Sequence, residues 1–361
     1  MLNLVKQLNG MIEKIINGKT YKLPSSLTPF QEEIYINLIN CKWKRNIYEP
    51  GIYQKKDKKG IVQTYQYDAI LPKSAHRNFP LVYPDILKDL IDHRNNYYFK
   101  FHQHFNHMAS SQAANINLFL PLLLHPQVDD IFILLKPDFK SLATGELYKG
   151  FRIEFWDGNS NEERGLLKDH SALSGTDADI AIAYYNHNDE LCLWLIEHKL
   201  TEKEFTECGG FKSKDRDKAK HLCDKTFSEI LSNKSFCFYH SFKGREYWNL
   251  TDENKSFFVN HSKHNSCPFK GGMNQLWRNQ LLGFALEKAG LFKEVYFSVV
   301  KHPENKALDK SIEQYKDLIN HHNKFSVFDS KSVINKVAKL NDFDLNAWLI
   351  WYKELYKINT L

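Results

Sequence analysis

No run of this sequence is long and apolar enough to cross a membrane. The longest strongly apolar stretch, 118–124, is interrupted by Pro121 and falls far short of the roughly 20 residues a bilayer requires. A signal peptide is not visible either. Residues 1–18 place Leu4, Leu8, Ile12, Ile15 and Ile16 at helical spacing with charges between them, which predicts an amphipathic helix, a cytoplasmic address and no membrane partner. Cysteine is scarce, six in 361 residues, and in a reducing compartment those six are expected to be free or metal-bound rather than paired. Repeats and low-complexity tracts are lacking, which excludes a repeat array. Neither charge sign dominates: the formal net charge of +6 permits a polyanionic partner through local patches without demanding one.

What is present is enough for a core, with 42% hydrophobic and 14% aromatic residues. The length suits one large α/β domain with an N-terminal extension, or two domains. Helices are expected over 30–43 (opened by Thr28-Pro29), 84–98, 110–120, 216–231 and 273–289, the last ended by Gly290. Strands are expected over 62–67, 130–135, 147–156, 180–185, 191–196, 236–239 and 295–300. Residues 54–60 read as a basic loop, 159–175 as a mobile loop, 243–264 as irregular and 308–361 as mostly helical, with Trp348 and Trp351 packing onto the body. The strand over 180–185 is apolar on both faces, which implies helices above and below. The expected fold is α/β: a central mixed β-sheet flanked by helices, with N- and C-terminal helical additions.

The organising stretch is 176–201, TDADIAIAYYNHNDELCLWLIEHKLT. Two apolar runs flank the turn-like 186–190, so it reads as a hairpin. Glu197 and Lys199 share one strand face, and His198 faces away. If the turn is centred near Asn188, residues whose numbers sum to 376 lie opposite one another, as Asp179 and Glu197 do. Directly opposed side chains are roughly 4.5–5.5 Å apart at Cβ. Two carboxylates that close require a proton or a cation between them, and a divalent metal is the natural resident. A one-residue slip would separate them, leaving ordinary surface ion pairs. Asp177 competes with Asp179 for the metal, and the register favours Asp179.

An Asp, a hydrophobic strand and a Glu-x-Lys ending the next strand resemble the PD-(D/E)xK nuclease superfamily, the restriction-endonuclease-like fold. The following LTEKEFTECGG, the downstream Gln275-Leu276-Trp277-Arg278-Asn279 and the upstream SSQAANINLFLPLL from Ser110 extend the likeness to a bacterial restriction-endonuclease-like branch, over about 110–303. No proline precedes Asp179. The resemblance implies a Mg²⁺- or Mn²⁺-dependent endonuclease acting on double-stranded DNA in restriction, anti-phage defence or repair. Asp179, Glu197 and Lys199 carry over as its catalytic core, with Asp179, Glu197 and, less directly, Glu154 as metal ligands. Residues 106–305 would form the nuclease core. Residues 1–105 would be a mostly helical extension for substrate selection or homodimerisation, and 306–361 a helical segment packed on the core.

Gln275, Arg278 and Asn279 form one polar stripe on a helix, suited to DNA contact or to supporting the triad, or simply to facing solvent. Lys212, Arg216 and Lys220 would share a helical face able to add affinity for DNA, although such runs are commonly just solvated. Cys208, Cys223, Cys237 and Cys267 follow the triad without a close Cys-x-x-Cys. Some nucleases of this fold carry a four-cysteine iron–sulfur cluster, and Cys267-Pro268 resembles a terminal cluster ligand. The alternatives are zinc, with His221, His261 or His264 joining the cysteines, and four free core thiols. Two other functions stay open: a nucleic-acid-binding protein with a degenerate nuclease core, and a metal-stapled interaction protein.

Overall fold

The computed structural model describes residues 5–8, 10–56, 60–157, 163–171, 174–215 and 218–359. The described residues open with strands, not with the helix expected over 1–18, of which residues 1–4 and 9 lie outside them. β1 (Val5–Leu8), β2 (Met11–Ile16) and β3 (Lys19–Pro24) form an antiparallel sheet. Asn17 and Gly18 both have positive φ, 51° and 76°, as the two-residue turn joining β2 to β3 requires. That turn and the β-branched isoleucines override the helical spacing of Ile12, Ile15 and Ile16. Helix α1 (Pro29–Lys44) begins as expected, with Thr28 and Gln31 in a reciprocal capping box. β4 (Gly51–Lys56) and β5 (Val62–Tyr67) pair as a hairpin. Part of the expected basic loop is therefore strand, and residues 57–59 lie outside the described residues. Helix α2 (Leu87–Asn96) follows, so among its described residues the region expected to be mostly helical carries five strands beside two α-helices.

Ser110 caps helix α3 (Ser111–Leu123) by accepting the Ala113 N–H. The strand expected over 130–135 is instead helix α4 (Val128–Leu135), with Asp129 and Asp130 in its first turn. An apolar run of this length is compatible with either structure, and acids at a helix start favour the helix. Next come β6 (Phe139–Leu142), β7 (Phe151–Phe155), β8 (Ala178–Asn186) and β9 (Leu191–Lys199). Of the loop expected over 159–175, residues 159–162 and 172–173 lie outside the described residues.

The helix expected over 216–231 shrinks to α5 (Phe227–Ser232), which Thr226 opens with a capping box. Before it, Lys214–Asp215 pairs with Lys218–Ala219 as a minimal hairpin, so Lys212 and Lys220 share no helix. The strand expected over 236–239 is a pair of short helical turns. The segment taken as irregular contains helix α6 (Tyr247–Glu253). Helix α7 (Asn274–Lys288) and β10 (Glu294–Lys301) match expectation, with Gly290 at φ 69° after the helix. Helices α8 (Asp309–Leu318), α9 (Ser330–Ala338) and α10 (Phe343–Tyr356) make the C-terminal part mostly helical, but β11 (Phe325–Asp329) lies between them.

The central mixed sheet runs β11-β10-β9-β8, with β6 and β7 both pairing the far edge of β8. β10 is parallel to β9 and β11, and the remaining pairs are antiparallel. One face, with Ile180, Ile182, Trp194 and Ile196, packs on α1, α3, α9 and α10. The other, with Ala181, Ala183, Leu193 and Leu195, packs on α6, α7 and α8. This is the restriction-endonuclease-like α/β core. Among the described residues no helix is long and apolar enough to cross a membrane.

One buried joint ties the C-terminal helix to α3. Pro121 inside α3 has no N–H, so the Asn117 carbonyl four residues earlier loses its helical donor. The indole N–H of Trp348, 1% exposed, donates to that carbonyl at 2.7 Å. The Asn117 side chain also accepts from Tyr83 N–H and donates to Leu81 O and Tyr356 Oη. Trp348→Phe is expected to cost about 2 kcal/mol by orphaning a buried carbonyl. In urea titrations, Pro121→Ala should offset part of that loss by restoring the helical N–H, a coupling that a double-mutant cycle would read.

Candidate active site

The β8–β9 ladder pairs Ile180 with Ile196, Ala181 with Leu195 and Ile182 with Trp194, the register in which paired numbers sum to 376. Asp179 and Glu197 stand one step beyond its last pair. There the Asp179 side chain, not the main chain, takes the next donor: Oδ2 accepts the His198 N–H at 2.6 Å. On the other side of β8, Ile153 pairs with Ile180 and Phe155 with Ala178, which sets Glu154 opposite Asp179. Glu154 sits at φ 51° in the middle of β7, a left-handed conformation that costs a non-glycine residue about 1–3 kcal/mol and clusters at functional sites. Three carboxylates therefore form one row across three neighbouring strands: Glu154, Asp179 and Glu197.

Glu197 is held tightly. It is 4% exposed, and α7 crosses its strand end so that Gln275 Nε2 donates to Oε1 at 2.7 Å and Asn279 Nδ2 to Oε2 at 3.0 Å. The Lys199 ammonium lies 2.8 Å from Oε1. Each carboxylate oxygen offers two lone pairs, so Oε1 is filled and Oε2 retains one. Asp179 Oδ1 has no protein donor among the described residues. The open acceptor capacity thus lies on Asp179 and Oε2 of Glu197.

Two members of the row, Glu154 and Asp179, resist ionisation as they stand. Burial, then the Asp177 and Glu197 charges, pushes the Glu154 carboxyl up to about 8, against the opposing effects of Gln112 and Lys199. Burial, followed by Glu197 and Glu154, raises Asp179 well above the usual carboxylate range. Burial alone would lower Lys199, but Glu197, Glu202 and Asp179 outweigh it and the net shift is upward. Lys199 is an ammonium here, a donor and not a base.

Two adjoining clefts, about 580 and 490 Å³, both reach Glu154, Asp179, Glu197, Gln275 and His102. The first is also lined by Tyr53, His104, Gln112, Lys199 and Glu202, the second by Asp177, Arg245, Arg278 and Asn279. Several of these were not singled out in the sequence. Gln112 lies within the SSQAAN segment, accepts the His102 N–H at 2.9 Å and donates to Lys100 O at 3.2 Å. Glu202, three residues past Lys199, accepts the Leu200 and Thr201 N–H groups at 2.7 and 3.0 Å. His102 and Tyr53 carried no pattern that marks them. Asp177 is engaged elsewhere, 3.1 Å from His170 Nε2.

The α7 stripe divides. Gln275 and Asn279 serve Glu197, whereas Arg278 donates to Gly175 O and Thr176 Oγ1 at 3.2 and 3.3 Å and secures the segment leading into β8. Lys212 reaches Glu207 at 3.1 Å and Glu204 at 3.8 Å, so its charge is compensated within the protein. Arg216 lies outside the described residues. Cys208, Cys223, Cys237 and Cys267 line a separate small cavity and form no disulfide.

Residues 41–357 match the family described as restriction endonuclease associating with ARP (REase-ARP). The chain belongs to this family. The match takes in all of the central sheet, the carboxylate row, the second cleft and all of the first but Gln31 and Tyr35 of the REase-ARP chain, together with α9 and α10. It supports a nuclease and an interaction with DNA. No curated protein and no solved structure matches the chain.

The donor set fits a hard divalent cation, since carboxylate oxygens are the preferred ligands of Mg²⁺ and Mn²⁺. Raised carboxyl pKa values in the metal-free row are what a site completed by a cation would show. Gln275→Ala and Asn279→Ala are expected to lower metal affinity or activity about 10- to 100-fold each, as lost support for a ligand does, with little change in fold by circular dichroism.

Proposed function

We propose that this chain is a metal-dependent endonuclease of the PD-(D/E)xK type that hydrolyses DNA phosphodiester bonds in restriction, anti-phage defence or repair. The observation that carries the reading is the row of Glu154, Asp179 and Glu197 across three strands, with Lys199 beside it, at the junction of two clefts. Asp179, Glu197 and Glu154 would hold Mg²⁺ or Mn²⁺, which supplies the Lewis acidity that phosphodiester hydrolysis needs. Gln275 and Asn279 keep the Glu197 carboxylate in one orientation, so a bound phosphate would meet a preset site. The Lys199 ammonium would donate to the scissile phosphate as negative charge develops there. Tyr53 and His104, whose rings lie 5.9 Å apart, would border the path of the nucleic acid. Double-stranded DNA as substrate and a homodimer as the cutting unit belong to the same proposal.

The test is incubation of plasmid with the protein and Mg²⁺, Mn²⁺ or EDTA, beside Glu197→Ala and Lys199→Ala. Cleavage that needs the metal and fails in both variants is expected. Salt-sensitive binding without cleavage would favour a nucleic-acid-binding protein with a degenerate core instead.

A further inference from the structure

Among the described residues, the segment between β9 and α7 carries little regular structure beyond α5, α6, the minimal hairpin at 214–219 and single turns, yet four parts of it bring their cysteines together. Cys208 precedes the turn Gly209–Lys212, Cys223 lies just ahead of α5, Cys237 joins two short helical turns and Cys267 precedes the turn Pro268–Lys270. All four line one enclosed cavity of about 40 Å³, walled by Trp248, Trp277 and Phe269. Burial foremost, with the other three sulfurs nearby, pushes the Cys267 thiol well above its usual range. The other two cysteines, Cys41 and Cys192, are buried elsewhere, in α1 and β9. Such convergence of four thiols from distant positions is not needed to fill a core with small apolar side chains.

A second observation points into the same cavity. Trp248 is fully buried and lines the cavity, and its indole N–H makes no hydrogen bond of normal geometry to nitrogen, oxygen or sulfur. A neutral thiol is a weak acceptor, whereas hydrogen bonds to ligating sulfur are a normal means of tuning a metal centre. Lys270 lines the cavity too, beside Asp224 and a Lys225 that pairs with Glu229 at 3.3 Å.

We propose that Cys208, Cys223, Cys237 and Cys267 hold an iron–sulfur cluster. A lone zinc is disfavoured by spacing. At a Zn–S distance of about 2.3 Å, tetrahedral geometry sets sulfurs about 3.8 Å apart, yet among the described residues no three of these sulfurs lie within 4.8 Å of one another. A cluster, whose irons are themselves spread apart, takes its four thiolates farther from one another. The centre would staple 208–267 and seat the start of α7, because Asn274 lines both this cavity and the acidic cleft.

The test is metal and acid-labile sulfide analysis of full-length protein purified without oxygen, together with its visible spectrum. As-purified protein low in iron would be reconstituted with ferrous iron and sulfide. Stoichiometric iron with sulfide and broad charge-transfer absorption are expected, lost in Cys223→Ser and Cys267→Ser but kept in Cys41→Ser. Circular dichroism of each variant separates loss of the cluster from loss of fold. Stoichiometric zinc without sulfide would overturn the cluster. A folded protein that takes up neither metal, even on reconstitution, would overturn the site. These readings are independent of DNA cleavage, so they stand or fall apart from the proposed nuclease activity.

Discussion

Asp179→Asn is expected to abolish metal-dependent cleavage while making the metal-free protein more stable. The two effects have one cause. Asp179 is the middle of the carboxylate row, opposite Glu197 on one side and Glu154 on the other, and its Oδ1 is the acceptor left open. Asparagine still offers an oxygen to the His198 N–H, so the bond that Asp179 Oδ2 makes at 2.6 Å need not be lost. What disappears is a charge that burial and both neighbours oppose. The loss of activity should be about 10³-fold or more, which corresponds to about 4 kcal/mol of transition-state stabilisation. Denaturation in EDTA at about pH 8 should show a gain of about 1–2 kcal/mol, the scale on which removing an unfavourably buried charge acts. A destabilised Asn variant would mean that the row is held by partners other than a cation.

The second large effect is on pH dependence. Glu154 keeps its proton up to about pH 8 in the folded chain, against an ordinary value near 4.5. The folded state therefore binds more protons than the unfolded state between those values. Stability conferred by the protonated carboxyl is intact below about 4.5 and is lost as pH rises through about 8. The buried histidines act in the opposite direction. Burial and then Arg152 depress His93 to about 4, while burial and then His302 depress His198 to about 3. These two take stability away only as pH falls below about 6.5. Between about pH 6.5 and 8 the Glu154 carboxyl by itself should cost the metal-free protein about 2 kcal/mol. Glu154→Gln should flatten that slope in guanidinium titrations. Millimolar Mg²⁺ should restore the loss in the wild type but not in Asp179→Asn. A slope equal in wild type and Glu154→Gln would remove Glu154 from the site.

The centre of the fold was legible because two local signals agreed. Apolar runs of strand length flank Asn186–Glu190, where Asn186 Oδ1 accepts the Asn188 and Glu190 N–H groups, and this turn set the register. That register placed Asp179 against Glu197 without any long-range information. The third carboxylate was legible only as a residue on a nearby strand. Its alignment depends on how β7 pairs β8 and on a left-handed backbone that no pattern announces. Gln112 and His102 reach the cleft by tertiary packing alone. Errors of element type fell where apolar spacing was ambiguous: VDDIFILL is a helix, and residues 11–16 form a strand because Asn17-Gly18 closes a hairpin. The gathering of Cys208, Cys223, Cys237 and Cys267 was illegible for the opposite reason. Long irregular connections hide proximity that close motifs would reveal.

The most direct test of the carboxylate row is Mn²⁺ titration of metal-free protein at about pH 8, read by electron paramagnetic resonance of the free ion. The account predicts saturable binding of one or two ions, displaced by Mg²⁺ and strongly weakened in Asp179→Asn, with Cys223→Ser unaffected provided it stays folded. A folded wild-type protein that leaves all the Mn²⁺ free, or an Asp179→Asn variant that binds it equally well, would contradict the account.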